Sequence, residues 1–135
     1  HPADRLKMAA GVRGGREART RYRVLENFGG GAAFLECRLE SGRTHQIRVH
    51  MAHIRHPVIG DPLYGPQQTA VNAALRKAGM GDEVVAAARL FPRQALHAHE
   101  IRFLHPESGE DMAFSSPLPE DMAGLLLSMR GALAR

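Results

Sequence analysis

The sequence has one cysteine, Cys37. A lone thiol cannot build an internal disulfide framework and fits a reducing compartment, so a cytoplasmic location is expected. No apolar run is long enough to span a bilayer, and no secretory leader is expected. The first residue is His1 rather than Met, so a processed chain or a piece of a longer one is expected. Three signatures are missing: a GxGxxG dinucleotide turn, the GK[ST] ending of a P-loop, and a GxSxG nucleophile elbow. Metal-ligand spacing is also missing. His45, His50, His53 and His56 lie five, three and three residues apart, which scatters them around a helix. No nearby cysteine or acid completes a set. We therefore expect no metal, and expect these histidines to be hydrogen-bonded structural groups.

Acids are scarce in the first part of the chain. Residues 1–57 carry 11 Lys and Arg against 5 Asp and Glu, whereas the remainder carries 7 against 9. A basic half beside a mildly acidic one suits a polyanionic partner, and equally suits a solvated basic surface.

What is present reads as one domain of locally paired strands and helices. RGGR (13–16) is a glycine turn. Thr20 to Asn27 alternates Tyr22 and Val24 against Arg21 and Arg23, the pattern of a half-buried strand. Gly29-Gly30-Gly31 turns the chain into a second strand over 33–39, and Glu40-Ser41-Gly42 closes the hairpin. A helix is expected over 44–55, capped by Thr44 and ended by Pro57. PVIGDPLYG (57–65) is rich in turn residues. Residues 66–94 form an alanine-rich excursion with a short helix near 71–77. Strands over 96–104 and 112–115 flank a turn at 106–110. The last helix, 119–133, starts on Pro119 and carries one apolar stripe: Met122, Leu125, Leu126, Met129 and Leu133. The expected class is α+β, with a mainly antiparallel mixed sheet and flanking helices.

One stretch resists a purely structural reading. GRTHQIRVH (42–50) threads Ile47 and Val49 between Arg43 and Arg48. An arginine between apolar neighbours meets a carboxylate or phosphate, because burying its charge unpaired costs several kcal/mol. The local pattern leaves two partners open: an acid of this chain such as Glu40 or Asp61, or a group at a functional site.

LESGRTHQIRVHMAHIRHPVIGDPLYG (39–65) closely resembles the third motif region of RNA pseudouridine synthases of the RluA type. Within these it is most similar to the D-type enzymes acting on large-subunit ribosomal RNA. The likeness extends to HP..R..MA at the start, to T.YRVLE.F, and to RQALHA..IRFLHP.SG..M.F..PLP.DM (93–122). Ser41 stands where that family often has threonine.

The resemblance implies residues 1–135 as the C-terminal portion of the catalytic fold of such an isomerase. It implies no cofactor, no metal and no membrane. The partners it implies are large-subunit ribosomal RNA and the N-terminal portion of the catalytic domain. The family's essential aspartate lies in an HRLD-type motif that this sequence does not contain. By the resemblance, Arg48 matches the arginine that pairs with that aspartate, and Asp61 matches a structural turn. Val49 is expected under the uracil ring, and Arg43 and His45 at the pocket rim or on phosphate. Arg19, Arg21 and Arg23 are expected beneath the RNA backbone. This portion alone is expected to be inactive. A non-catalytic RNA-binding module and a purely structural domain are the competing readings.

Overall fold

Strand alternation over 20–27 produces the middle of a three-stranded antiparallel sheet. The computed structural model of the chain describes residues 5–10, 18–39, 45–65 and 67–133. The RGGR turn, Glu40-Ser41-Gly42 and Thr44 lie outside the described residues. Strand β1 (Arg5–Ala10) pairs with β2 (Ala18–Phe28), and β2 with β3 (Ala32–Leu39). At the β2–β3 turn, Gly29 and Gly30 take φ of 66° and 84°. Side chains resist that conformation and glycine does not, so this turn demands glycine and matches the twist of the strands. The Gly31 amide donates to the Phe28 carbonyl at 3.1 Å, and the Gly30 amide to Asn27 Oδ1 at 2.9 Å. β1, which lacks clear alternation, was not anticipated. It forms because β2 offers it an edge, with Arg5 opposite Arg23 and Ala10 opposite Ala18.

Alternate residues of a strand point to opposite faces. On one face of β2, Thr20 is fully buried, beneath helix α1 (Gln46–His53). The other face carries Arg19, Arg21 and Arg23. The helix is shorter than the expected 44–55. His45 precedes it in left-handed conformation, φ 56°, with no side-chain cap.

The alanine-rich excursion is more ordered than expected. It forms α2 (Gln68–Lys77) and α3 (Asp82–Arg89). Arg76 and Lys77 end the first helix, and Asp82 and Glu83 open the second, each complementing the dipole end it sits on. These helices give the core Leu75, Val84, Val85 and Ala88, and the turn between them gives Met80. Helix α4 (Glu120–Leu133) closes it with Leu125, Leu126 and Met129, and Phe28 comes up from the sheet. The apolar stripe read from the sequence is therefore packing, with Met122 also buried. Arg130 of α4 pairs with Glu26 of β2.

β4 (Glu100–Leu104) and β5 (Asp111–Ser115) make a separate two-stranded hairpin. The α+β class stands, with mainly antiparallel pairing and flanking helices: the described strands form two sheets, both antiparallel, and β4 and β5 pair with each other. The strand expected over 96–104 begins only at Glu100. Before it, Ser116 holds the chain: its amide donates to the His99 carbonyl at 2.8 Å, and its carbonyl lies 3.1 and 2.9 Å from ring nitrogens of His97 and His99.

Candidate functional site

Helix α1 is fixed to β2 by polar pins. Gln46 Nε2 donates to the Arg19 carbonyl at 2.8 Å and to Thr20 Oγ1 at 3.2 Å. His50 Nδ1 lies 2.7 Å from the same hydroxyl. Thr20 accepts from Gln46 and keeps a proton it can donate to Nδ1 when that nitrogen is unprotonated. Burial, and then the charge of His53, push the His50 pKa below the usual histidine value, which favours that neutral form. Two residues of the GRTHQIRVH stretch thus serve attachment.

Attachment aims Arg48. It is the third residue of α1, near the positive end of the helix dipole, and no acid lies in that first turn. The compensating charge comes from Asp61. Arg48 Nε donates to Asp61 Oδ2 and Nη2 to Oδ1, both at 2.7 Å, a two-pronged fork. The Asp61 side chain has no exposed surface and that of Arg48 has 10%. Asp61 Oδ1 also accepts the amides of Leu63 at 2.9 Å and Tyr64 at 3.1 Å. These partners, the guanidinium first, hold the Asp61 carboxyl far below the usual carboxylate range. The Tyr64 ring lies against the guanidinium, its centroid 5.3 Å from Arg48 Cζ. His45 meets Tyr64 edge-on at 5.8 Å, its Nδ1 3.4 Å from the phenol oxygen.

The turn that carries Asp61 explains GDPLYG. A Cβ on Gly60 would stand 2.0 Å from the Arg93 carbonyl oxygen, and one on Gly65 would stand 2.1 Å from that of Asp61. Both positions exclude any side chain, and Gly60 also takes φ 79°. Arg93 in turn forks onto Asp121 at 3.0 and 2.9 Å, which ties this turn to the start of α4.

His45 and Arg48 therefore share one site with Asp61 and Tyr64. Val49 follows Arg48 on α1 and is 38% exposed. Arg43 lies outside the described residues. Asp61 forms the expected turn and is also the partner of Arg48, one of the two intrachain acids the sequence allowed. Burial of Arg48 therefore needs no acid from elsewhere to balance its charge. Tyr64 was not singled out from sequence, although the two obligatory glycines bracketing it were the available signal. Arg19, Arg21 and Arg23 are not brought to this site, since their side chains project from the face of β2 opposite Thr20 and α1. Arg21 stands opposite Arg38 in register. Arg23 Nη2 reaches Glu36 at 3.3 Å, and Arg38 Nε reaches the same carboxylate at 3.5 Å. Among the described residues, no three His, Cys, Asp or Glu side chains gather as metal ligands would. No described helix is long and apolar enough to cross a membrane.

Comparison with known proteins adds the decisive observation. A family profile described as RNA pseudouridylate synthase matches residues 1–53, a span that includes Arg48. The whole chain aligns with the ribosomal large subunit pseudouridine synthase D of Xanthomonas campestris at 54% identity over 136 residues. The chain is a relative of the RNA pseudouridylate synthases. The proteins of the same description from Xylella fastidiosa and Escherichia coli K12 are 50% and 45% identical, each over 96% of the chain. It spans 38% of the Xanthomonas protein's length and 37% of each of the other two. The alignment with these proteins thus extends beyond the profile match, over residues 66–94 and α4.

Proposed function

We propose that this chain is the C-terminal portion of a catalytic domain that isomerises uridine to pseudouridine in large-subunit ribosomal RNA. The observation that carries the reading is 54% identity over the entire chain to a protein so described. The reaction breaks the N1–C1′ bond, turns the base, and joins C5 to C1′. The C5 proton leaves and N1 gains one, so no atom is gained or lost overall. In this reading the carboxylate that drives the reaction comes from the N-terminal portion of the domain, and Arg48 steadies it. Asp61 occupies the Nε–Nη2 edge of the guanidinium, while Nη1 takes no hydrogen-bond partner among the described residues. That nitrogen offers donors to a second oxyanion, which supports the role. An adjacent guanidinium keeps a carboxylate ionised against desolvation by a flipped base. Val49 lies under the uracil ring, and His45 and Arg43 line the rim. Cys37 suits a reducing, cytoplasmic setting.

The test is tritium release from C5-labelled uridine in a large-subunit RNA transcript, using the full-length protein. Arg48→Ala should lower the single-turnover rate by at least about 100-fold. Absence of release by the unaltered protein on any large-subunit RNA would overturn the proposal, and full activity of Arg48→Ala would overturn the role of the arginine.

The basic face of β2 and β3 favours a second contribution, RNA binding away from the pocket. Arg19, Arg21, Arg23 and Arg38 lie under phosphates flanking the target nucleotide. Arg21→Ala with Arg38→Ala should then weaken RNA binding and reduce the slope of log affinity against log salt by about 1 per lost phosphate contact. An RNA-binding module without chemistry would show the same salt effect and no tritium release.

A further inference from the structure

We infer that Asp61 is a positioning residue for this reaction, one that fixes the Arg48 guanidinium by one edge so that the other is presented to the second carboxylate. The inference rests on the placement of Arg48 in the active site. It goes beyond that placement by assigning a function to an acid that the motif marks only as a turn.

Five observations carry it. The fork is short and two-pronged, 2.7 Å at each contact, which sets the plane of the guanidinium as well as its position. Asp61 is itself immobilised: its carboxylate holds the amides of Leu63 and Tyr64, its amide donates to Val58 at 3.2 Å, and its carbonyl accepts from Gly65 at 3.1 Å. The flanking glycines let the backbone close around it where a Cβ would collide. Tyr64 supports the guanidinium from the ring side. A cation in the first turn of α1 works against the helix dipole, so its position depends on this anion rather than on the helix. An arginine with four rotatable bonds is here reduced to one orientation before any substrate arrives. Preorganisation of that kind raises the rate and does little for RNA affinity.

Asp61→Asn separates the two roles of the residue. The amide oxygen still accepts the Leu63 and Tyr64 amides, and the fork on Arg48 is lost with the charge. In the full-length protein this variant should slow single-turnover tritium release by about 100-fold. Its affinity for the RNA should stay within about threefold of the unaltered protein. Placed in the Arg48→Ala background, it should cause no further loss, because a positioning residue acts through the group it positions. Should Asp61→Asn fail to fold, Asp61→Ser, whose hydroxyl also accepts within a turn, is read by the same criteria. An unchanged rate in Asp61→Asn beside a disabled Arg48→Ala overturns the inference and leaves the proposed function standing. Equal losses in the two backgrounds overturn it too, since they mark a structural effect independent of Arg48. Full activity of Arg48→Ala removes the placement on which both depend.

Discussion

Thr20 shows how far one buried hydroxyl can organise a site. It is fully buried and serves both Gln46 and His50. Thr20→Val should cost about 1–3 kcal/mol, because it removes the buried hydroxyl that partners His50 Nδ1 and serves as one of the acceptors of Gln46 Nε2, and denaturant unfolding measures this. His50 adds a pH dependence. Its folded pKa lies below that of the unfolded chain, so the unfolded chain takes up its proton first on acidification. The contribution of neutral His50 is complete above about pH 6.5 and is lost as the pH falls from there. Melting temperatures from pH 7.5 downward should decline less steeply in His50→Gln. Cys37 is a quiet thiol. Burial, and then Glu36, raise its pKa to about 11. At pH 8 it should alkylate about 100-fold more slowly than a cysteine in the unfolded chain. None of these behaviours is visible in the residue types, because each follows from burial that only the fold creates.

Turns, more than helices, decide the geometry at the level of elements. The β2–β3 hairpin was legible because Gly29-Gly30-Gly31 separates two apolar-patterned runs, and a local signal suffices for a local structure. α4 was legible for the same reason, its period being its own. α3 was not, since Asp82–Arg89 is short and its buried Val84, Val85 and Ala88 acquire meaning only against α2 and α4. Helix α1 begins later than expected because His45, in left-handed conformation, sets its start. The GDPLYG turn makes the sharpest prediction at this scale. Gly65→Ala places a methyl group 2.1 Å from the Asp61 carbonyl oxygen. It should destabilise the protein by at least about 2 kcal/mol, through strain at a backbone contact that cannot yield. The same substitution at Gly30, where nothing lies within 4 Å of an added Cβ, meets φ strain alone, of order 1 kcal/mol.

Seen whole, the described molecule has its apolar core at one end of the three-stranded sheet, among α2, α3 and α4, and its candidate site where α1 meets the turn at Asp61. Leu75 is 1% exposed at the centre of that core. Leu75→Ala should cost about 2–5 kcal/mol in unfolding experiments, with the spread set by how far the neighbours relax. The β4–β5 hairpin stands apart from the core. Ile101, Phe103, Leu104 and Phe114 are all exposed, with Phe103 and Phe114 stacked at 5.9 Å. An apolar surface of this kind promotes association. Sedimentation of this chain should therefore show concentration-dependent self-association, which Phe103→Ser with Phe114→Ser should reduce.

The sequence by itself determined the family likeness, the α+β class, the hairpin turn and the last helix. It also marked Arg48 as an arginine with a charged partner, since apolar neighbours on both sides leave no other reading. Tertiary structure alone decided which partner. Asp61 lies thirteen residues on, beyond a turn whose glycines yield to Arg93 and to Asp61 itself. It also decided that the arginines of β2 face away from that site. Strand alternation can be read from a chain, but which face a helix covers is fixed only when the helix docks, and here the docking is made by Gln46 and His50 on Thr20.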